Sequence, residues 1–216
     1  MLKAGTIIKD VFRICLFLPL LSQYGCWLAE GATETPIEEP QQREWATPIE
    51  LEGVPNLHKV SDVLYRGAQP TAEGMQALKK LGITTVVNLR AFHSDRDEIG
   101  DIELVYEHIP IIAVYPQEDD ILRFLDIITD DARTPVFVHC MQGADRTGLM
   151  SAIYRIILQD WTKEEAIEEM TEGSFGFHGI FQNFIRYLER LNIEELKRKA
   201  GLDEKQEKSK ETPKED

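Results

Sequence analysis

Apolar residues recur along the middle of the chain in two spacings, which predict strands and helices in alternation. Four runs rich in β-branched and apolar residues predict strands, over residues 60–66, 84–89, 104–109 and 135–138. The third run is expected to stop at Pro110, because proline cannot donate a hydrogen bond to a sheet. The fourth run carries no polar residue, so it is expected to be buried on both faces.

Helical periodicity separates and follows these strands. Apolar residues recur at three- and four-residue steps in four segments, residues 71–82, 119–130, 147–158 and 179–191. Thr71 is expected to cap the first helix and Gly82 to end it. Thr162 and Asn192 each precede a Glu by three residues, the pattern of a capping box, and predict two further helices. The alternation predicts a single-domain α/β sandwich, with a central mixed or parallel sheet flanked by helices.

The first 30 residues differ from this pattern. Basic residues precede an apolar run over residues 14–21, and small residues follow, which is the order of an export signal. The run is too short to span a bilayer, which takes about 20 residues. Lipid attachment at Cys26, cleavage near residues 29–32 and retention as an anchor are all open. The alternative is an amphipathic helix at the start of a cytoplasmic protein.

Composition also sets the expected domain boundaries. Residues 31–53 are rich in Pro, Glu, Thr and Gln and predict a linker. The segment 203–216 is almost wholly charged or polar and predicts a disordered tail. A single folded domain is therefore expected over residues 54–202. An export signal joined to a linker indicates a periplasmic or membrane-anchored location, with a possible membrane tether at the N-terminus.

Net charge limits the expected binding partners, and cysteine content limits the expected disulfides. The formal net charge of the 216 residues is −14, which disfavours nucleic acid and anionic lipid surfaces. Cys140 is the single cysteine in the body of the chain, because the other two lie at or within the apolar leader. An internal disulfide in the folded domain is therefore excluded. His58, His93 and His108 show no metal-ligand spacing with a carboxylate or a cysteine, so no metal and no cofactor are expected.

The segment most informative about chemistry is residues 136–148, Val-Phe-Val-His-Cys-Met-Gln-Gly-Ala-Asp-Arg-Thr-Gly. A strand ends at Cys140, a short loop follows, and Arg146 stands where a helix begins. Loop amides and a helix N-terminus together bind a tetrahedral anion, and the same positive potential favours a thiolate. Cys140 is therefore the predicted nucleophile towards phosphorus, and the planar guanidinium of Arg146 the predicted clamp on phosphoryl oxygens.

The remaining residues of the motif are assigned supporting roles. The predicted phosphate-binding residues are those of the loop, Met141, Gln142, Gly143, Ala144, Asp145 and Arg146. Gly143 permits a backbone geometry that a side chain obstructs. His139 is expected to bond backbone around Cys140, and Thr147 to donate its hydroxyl to the sulfur. Outside the motif, Arg90 and the Gly-rich loop around His178 are candidates for the mouth of the site.

This motif resembles the signature of the protein tyrosine phosphatase superfamily, and the short domain resembles its dual-specificity branch, especially the small atypical members of bacteria, fungi and plants. The similarity extends to residues 64–70 and 81–90 and covers most of residues 54–191. The resemblance implies a phosphocysteine intermediate on Cys140, phosphate coordination by the loop and Arg146, and no metal.

The chain departs from that family where an aspartate protonates the leaving oxygen. Ala113 occupies the expected place. A general acid contributes roughly 10²–10⁴-fold to the rate, so three substitutes are considered, Asp145, Asp119 and Asp120. The alternative for Asp119 and Asp120 is stabilisation of a helix N-terminus, and for Asp145 an orienting salt bridge to an arginine.

The predicted function is hydrolysis of phosphomonoesters, on phosphotyrosine or other phosphoprotein substrates. The loop contributes no cation besides Arg146, which favours monoesters over polyphosphorylated inositols or lipids. The alternatives are an RNA 5′-triphosphatase, an inositol-phosphate phosphatase and a non-catalytic phosphate-binding module.

Overall fold

A mixed β-sheet forms the centre of the computed structural model, which describes residues 43–112 and 116–203. The strands in this part of the chain are β1 (Thr47–Pro48), β2 (His58–Lys59), β3 (Leu64–Gly67), β4 (Thr85–Arg90), β5 (Val105–Ile111) and β6 (Val136–His139). Their order is β1-β2-β3-β6-β4-β5. The four strands β3, β6, β4 and β5 run parallel, and β1 and β2 add an antiparallel edge. The predicted mixed sheet is confirmed.

Helices cover both faces of this sheet. They are α1 (Ala72–Leu81), α2 (Arg96–Ile99), α3 (Glu118–Ile128), α4 (Asp145–Leu158), α5 (Lys163–Glu172), α6 (Gln182–Arg190) and α7 (Ile193–Lys199), with a 3₁₀ turn (Gly179–Phe181) before α6. Side chains of α1 and α2 pack with Val86 and Phe137 on one face. Side chains of α3 to α7 pack with Val87 and Val138 on the other. Successive strand residues point to opposite faces, so one sheet serves two apolar layers, and the α/β sandwich is confirmed.

Local sequence signals place several helix ends correctly. The Thr71 side chain accepts a hydrogen bond from Gly74 N, and Gly82 ends α1 with φ of 99°. Thr162 forms the predicted capping box with Glu165. Asn192 accepts from the backbone of the Glu three residues on, which is the first half of such a box.

Two strand predictions need correction. Strand β5 does not stop at Pro110 but continues to Ile111. It lies at the edge of the sheet, where a residue without an N–H interrupts no second ladder. The predicted strand over residues 60–66 is shorter at its start, because the amides of Val60 and Ser61 both donate to Leu64 O in a turn. The short elements β1, β2 and α2 lacked a sequence signal.

The folded unit also begins earlier than predicted. Residues 43–53 were expected to belong to the linker, yet Thr47–Pro48 pairs with β2. Ala46 N donates to the buried carboxylate of Glu169, and Ile49 N donates to Leu57 O. The leader, the rest of the linker and residues 204–216 of the tail lie outside the described residues. In the described part of the chain, no helix has the length and apolar character that a membrane span requires.

Candidate active site

The site lies where the parallel strands end. Gly67 of β3 and Asn88 of β4 are both opposite His139, the last residue of β6. Cys140 follows directly and is 2% exposed. Helix α4 begins five residues later, so the intervening loop closes over the sheet edge. The strand, loop and helix are therefore arranged as the motif predicted.

The first half of this loop is held from outside through its carbonyl oxygens. Met141 O accepts a hydrogen bond from Gln69 N at 3.3 Å. Gln142 O accepts one from Asn56 Nδ2 at 3.0 Å. Asn56 also donates to Phe175 O at 2.9 Å, which joins the loop to the Gly-rich segment before α6. These partners lie far from the motif in sequence, and the motif alone did not reveal them.

Arg66 holds the second half of the loop in the same way. Its side chain is 1% exposed, and Nη2 donates to Gly143 O at 2.9 Å and to Ala144 O at 3.3 Å. The guanidinium carbon lies 3.8 Å from the ring centroid of Phe175. Burial lowers the pKa of Arg66 to about 10, while Glu169 and Cys140 oppose that shift. Arg66 therefore stays charged at neutral pH and adds positive potential behind the loop.

These contacts direct the loop amides. The peptide bonds of the loop are trans, so the C=O and N–H of each peptide group point in opposite directions. The carbonyl oxygens of residues 141–144 all accept hydrogen bonds from groups outside the loop, and Ala144 O also accepts one from Gly148 N in α4. The N–H groups of residues 142–145 therefore point away from these partners, as an anion-binding loop requires.

Gly143 is required by both conformation and space. Its φ is +70°, a region that side chains other than glycine rarely adopt. A Cβ atom at this position would lie 2.4 Å from Gly67 C and 2.6 Å from Ala68 N. The loop thus packs directly against the backbone that follows β3.

His139 connects Cys140 to a buried carboxylate. Its Nε2 lies 2.7 Å from Asp95 Oδ2, and its Nδ1 lies 3.3 Å from Cys140 O. His139 and Asp95 are both fully buried. The predicted contact of His139 with backbone at Cys140 is present, whereas Asp95 was not predicted. The ring of His139 therefore lies between the Asp95 carboxylate and the carbonyl oxygen of Cys140.

Asp95 is held by further hydrogen bonds. Gln69 Nε2 and Asn88 Nδ2 donate to its Oδ1 at 2.9 and 3.0 Å. Burial opposes ionisation of Asp95, but hydrogen bonds from His139 and Gln69 outweigh it, so its pKa lies below the usual value. Asp95 is therefore a buried carboxylate fixed in place by its neighbours.

His93, Asp95 and Glu98 form a cluster that sequence spacing did not predict. One donor atom from each lies within 4.8 Å of the others, as metal ligands do. His93 Nε2 is 3.4 Å from Asp95 Oδ1 and 3.2 Å from Glu98 Oε1. Asp95 Oδ1 already accepts two amide hydrogen bonds. His93 Nε2 makes no hydrogen bond to a described residue, so these distances are close approaches without hydrogen-bond geometry.

The two arginines at the mouth have internal partners. Arg146 Nη1 donates to Leu89 O at 3.3 Å, and Arg90 Nη1 donates to Gln69 Oε1 at 2.9 Å. Arg146 thus extends from the start of α4 towards the end of β4. Arg90 is joined to the loop through Gln69, because Gln69 N donates to Met141 O.

Thr147 differs from its prediction. Its hydroxyl is buried, and no hydrogen-bond partner for it, the sulfur included, is found among the described residues. The expected hydrogen bond to Cys140 is therefore absent from this structure.

The three candidate acids occupy different environments. Asp145 is bonded to His178, whose N lies 2.8 Å from Oδ1 and whose Nδ1 lies 3.0 Å from Oδ2. The salt bridge of Asp145 to an arginine, considered as the alternative, is not found among the described residues, and Asp145 contacts His178 instead. Asp119 and Asp120 lie in the first turn of α3, where Asp119 is exposed and Asp120 half-buried. Desolvation and the neighbouring charge of Asp119 raise the pKa of Asp120. Ala113 lies outside the described residues.

A cradle of amides around a cysteine, closed by an arginine at the start of the next helix, can accept a phosphoryl group and transfer it to sulfur. The fold and this cradle together define a cysteine-dependent phosphatase. The chain belongs to the dual-specificity phosphatase family: the family model described as "DSP-PTPase phosphatase fused to NAD+ Kinase" matches residues 51–186.

Individual relatives agree with this assignment. The chain is 31% identical to the dual-specificity protein phosphatase TpbA of Pseudomonas aeruginosa (strain UCBPP-PA14) over 84% of this chain and 83% of that protein. A crystal structure of a Cys-to-Ser variant of P. aeruginosa TpbA with pTyr superposes with a TM-score of 0.65 and 30% identity, covering 73% of this chain and 96% of that one. The catalytic domain of the PP-IP phosphatase SIW14 from S. cerevisiae, with citrate, shares the fold at a TM-score of 0.59 and 19% identity, covering 69% and 93%.

Proposed function

We propose that this phosphatase hydrolyses phosphotyrosine in protein substrates through a phosphocysteine on Cys140. The observation that supports the proposal is the set of hydrogen bonds to the carbonyl oxygens of residues 141–144, because the N–H groups of residues 142–145 then point away from those partners and are available to an anion. The relative TpbA, which has a structure with pTyr, supports the choice of substrate.

The reaction has two displacements. In the first, the thiolate of Cys140 attacks phosphorus, so an S–P bond forms and the P–O bond to the tyrosyl oxygen breaks. That oxygen takes a proton from an acid or from water. In the second, water attacks phosphorus, the S–P bond breaks, and phosphate leaves with the thiolate restored. The amides and Arg146 stabilise the charge on the equatorial oxygens in both steps.

The identity of the acid is part of the proposal. Asp120 is favoured because its raised pKa keeps more of it protonated near neutral pH. Asp145 is bonded to both the backbone and the ring of His178, so its carboxylate is already engaged. A phenol is also a good leaving group, so phosphotyrosine depends less on an acid than an alkyl phosphate does.

Turnover assays test the proposal. The wild type should hydrolyse para-nitrophenyl phosphate and a phosphotyrosine peptide in a vanadate-sensitive manner, and Cys140→Ser should abolish both activities while retaining tungstate binding. Activity that survives in Cys140→Ser would overturn the mechanism. Phosphate binding without turnover by the wild type would indicate a binding module. Faster turnover of inositol hexakisphosphate or of triphosphorylated RNA would overturn the substrate choice.

We further propose that the protein is exported and tethered to a membrane through its N-terminus. The order of basic, apolar and small residues over residues 1–30 supports this. Fractionation of producing cells should place the full chain with the membrane or the periplasm, and a chain lacking residues 1–30 in the cytoplasm. Release of the full chain from the membrane by Cys26→Ala would indicate lipid attachment, and an unchanged cytoplasmic location of the full chain would overturn export.

A further inference from the structure

The most exposed apolar side chains are concentrated near the active site. In the described part of the chain, the large hydrophobic residues more than half exposed are Phe92 at 96%, Ile180 at 83%, Met141 at 62% and Ile112 at 59%. The other exposed ones are at 39–44%. Exposed apolar side chains that lie together mark interaction sites more often than isolated ones do.

Three of these residues follow the carboxyl ends of neighbouring parallel strands. Phe92 comes two residues after β4, Ile112 directly after β5, and Met141 two residues after β6. Asn88 of β4 is opposite His139 of β6 and His108 of β5, so the three strands end at one edge. Met141 lies in the loop that follows Cys140. Neighbouring parallel strands lie about 4.8 Å apart, so Phe92 follows the strand next to that loop and Ile112 follows the strand beyond it.

The fourth residue is linked to the first residue of α4. His178 is bonded through its backbone and ring to Asp145, the first residue of α4. Ile180 follows two residues later and is 83% exposed. We call these four residues, Phe92, Ile112, Met141 and Ile180, the apolar rim.

Charge at this edge points to the kind of ligand. Arg66 is buried behind the loop, Arg90 donates to Gln69, and Arg146 donates to Leu89 O. The guanidinium of Arg146 can turn to one phosphoryl group, which leaves little positive charge for further phosphates. The net charge of −14 also disfavours acidic residues next to the reacting group.

We propose that the apolar rim binds apolar residues on both sides of the phosphotyrosine in a protein substrate, and so selects phosphoprotein segments with apolar flanks. The inference rests on the proposed function and adds the substrate preference of the same site. It predicts discrimination against acidic flanks and against polyphosphorylated small molecules.

The test compares three phosphotyrosine peptides that differ in the flanking residues, which are leucine and isoleucine, serine, or glutamate. Binding to Cys140→Ser by fluorescence anisotropy and kcat/KM of the wild type are both measured. The leucine and isoleucine peptide should be bound and turned over about tenfold better than the serine peptide, and the glutamate peptide worst. Equal values for the three peptides in either measurement would overturn the proposal that the apolar rim selects apolar flanking residues.

Variants locate the effect. Phe92→Ala and Ile180→Ala should each lower kcat/KM for the apolar peptide about tenfold, chiefly through KM. Neither should change kcat/KM for para-nitrophenyl phosphate by more than about twofold. Phe92→Leu should restore most of the loss. Val105→Ala is the matched control, because Val105 is 44% exposed at the opposite edge of the sheet, where β5 begins.

The outcomes separate the two proposals. Absence of para-nitrophenyl phosphate hydrolysis by the wild type would overturn the proposed function, and the peptide affinities of Cys140→Ser would still report on the rim. The other outcome is that hydrolysis proceeds normally while Phe92→Ala and Ile180→Ala are as active as Val105→Ala on the apolar peptide. This result would overturn only the proposed role of the apolar rim.

Discussion

At the scale of single residues, Asp95 fixes the position of His139 and thereby the backbone at Cys140. The Asp95 carboxylate accepts from His139, Gln69 and Asn88, so it joins β6 to β4 and to the turn after β3. His139 then lies between a carboxylate and the carbonyl of Cys140. Asp95 is therefore a positioning residue that reaches Cys140 through His139.

Replacement of Asp95 tests this role. Asp95→Asn should lower kcat/KM for para-nitrophenyl phosphate by about ten- to hundredfold, because a buried partner of His139 is lost. Alkylation of Cys140 by iodoacetate should shift to higher pH, which a purely structural loss would not cause. Asp97→Asn, an exposed neighbour in α2, is the control. An unchanged alkylation profile in Asp95→Asn would contradict the role.

The lowered pKa of Asp95 also predicts a dependence of stability on pH. A carboxyl group whose pKa is lower in the folded state stabilises that state above its unfolded pKa, about 3.9, and the contribution is lost as the pH falls through the folded value. The difference in free energy of unfolding between wild type and Asp95→Asn should therefore be largest above about pH 5 and shrink in more acidic solution. Urea titrations at a series of pH values measure it.

Asp120 is expected to be the general acid. Asp120→Asn should lower kcat for a phosphoserine peptide by about 10²–10⁴-fold and remove the decline in rate on the basic side of the pH profile. The direction follows from the raised pKa, since an acid works only while protonated and loses activity as the pH rises past that value. Asp126→Asn, an exposed carboxylate further along α3, is the control. If Asp145→Asn rather than Asp120→Asn flattens the profile, the acid is Asp145.

At the scale of elements, the phosphate loop depends on backbone close to β3. Gly143→Ala should lower kcat/KM by at least about a hundredfold, because a Cβ atom would lie 2.4 Å from Gly67 C at a φ of +70°. The loop would have to move, and its N–H groups would no longer be placed to bind one anion. Gly179→Ala is the control, since a Cβ there has no heavy atom within 4 Å. Tungstate affinity measures the cradle directly, and an unaltered affinity in Gly143→Ala would contradict this account.

The sequence predicted the elements that are determined by residues close to one another in the chain. Thr71, Gly82 and Thr162 set helix ends through contacts within a few residues, and the motif at Cys140 carries its own strand, loop and helix. The supporting contacts are long-range. Arg66 reaches the loop across 77 residues, and Asp95 reaches His139 across 44. A single sequence contains no periodicity that pairs residues at such separations, so the motif was predicted and its support was not.

At the scale of the whole molecule, a buried ion pair joins the N-terminal segment of the domain to its helices. Arg155 Nη2 lies 2.6 Å from Glu169 Oε1, with both side chains almost fully buried. Glu44 O accepts from Arg155, and Ala46 N donates to Glu169. Composition assigned residues 43–53 to the linker because the longer segment 31–53 is rich in Pro, Glu, Thr and Gln. Within it, the backbone of Glu44 and Ala46 bonds to the ion pair, and Ile49 and Leu51 pack against the core, which the composition of the whole segment does not report.

Glu169→Gln should therefore destabilise the domain by about 3–5 kcal/mol, because it leaves the guanidinium of Arg155 without its charged partner in a buried site.

A chain that begins at residue 43 should unfold at the same temperature as one that begins at residue 31. A chain that begins at residue 54 should unfold at a clearly lower temperature, since it lacks β1 and both backbone contacts to the pair. Glu168→Gln, one position away and exposed, controls for the loss of charge. Calorimetry on these five proteins shows whether residues 43–53 belong to the folded domain or to the linker. Equal unfolding temperatures for the chains that begin at residues 43 and 54 would show that they belong to the linker.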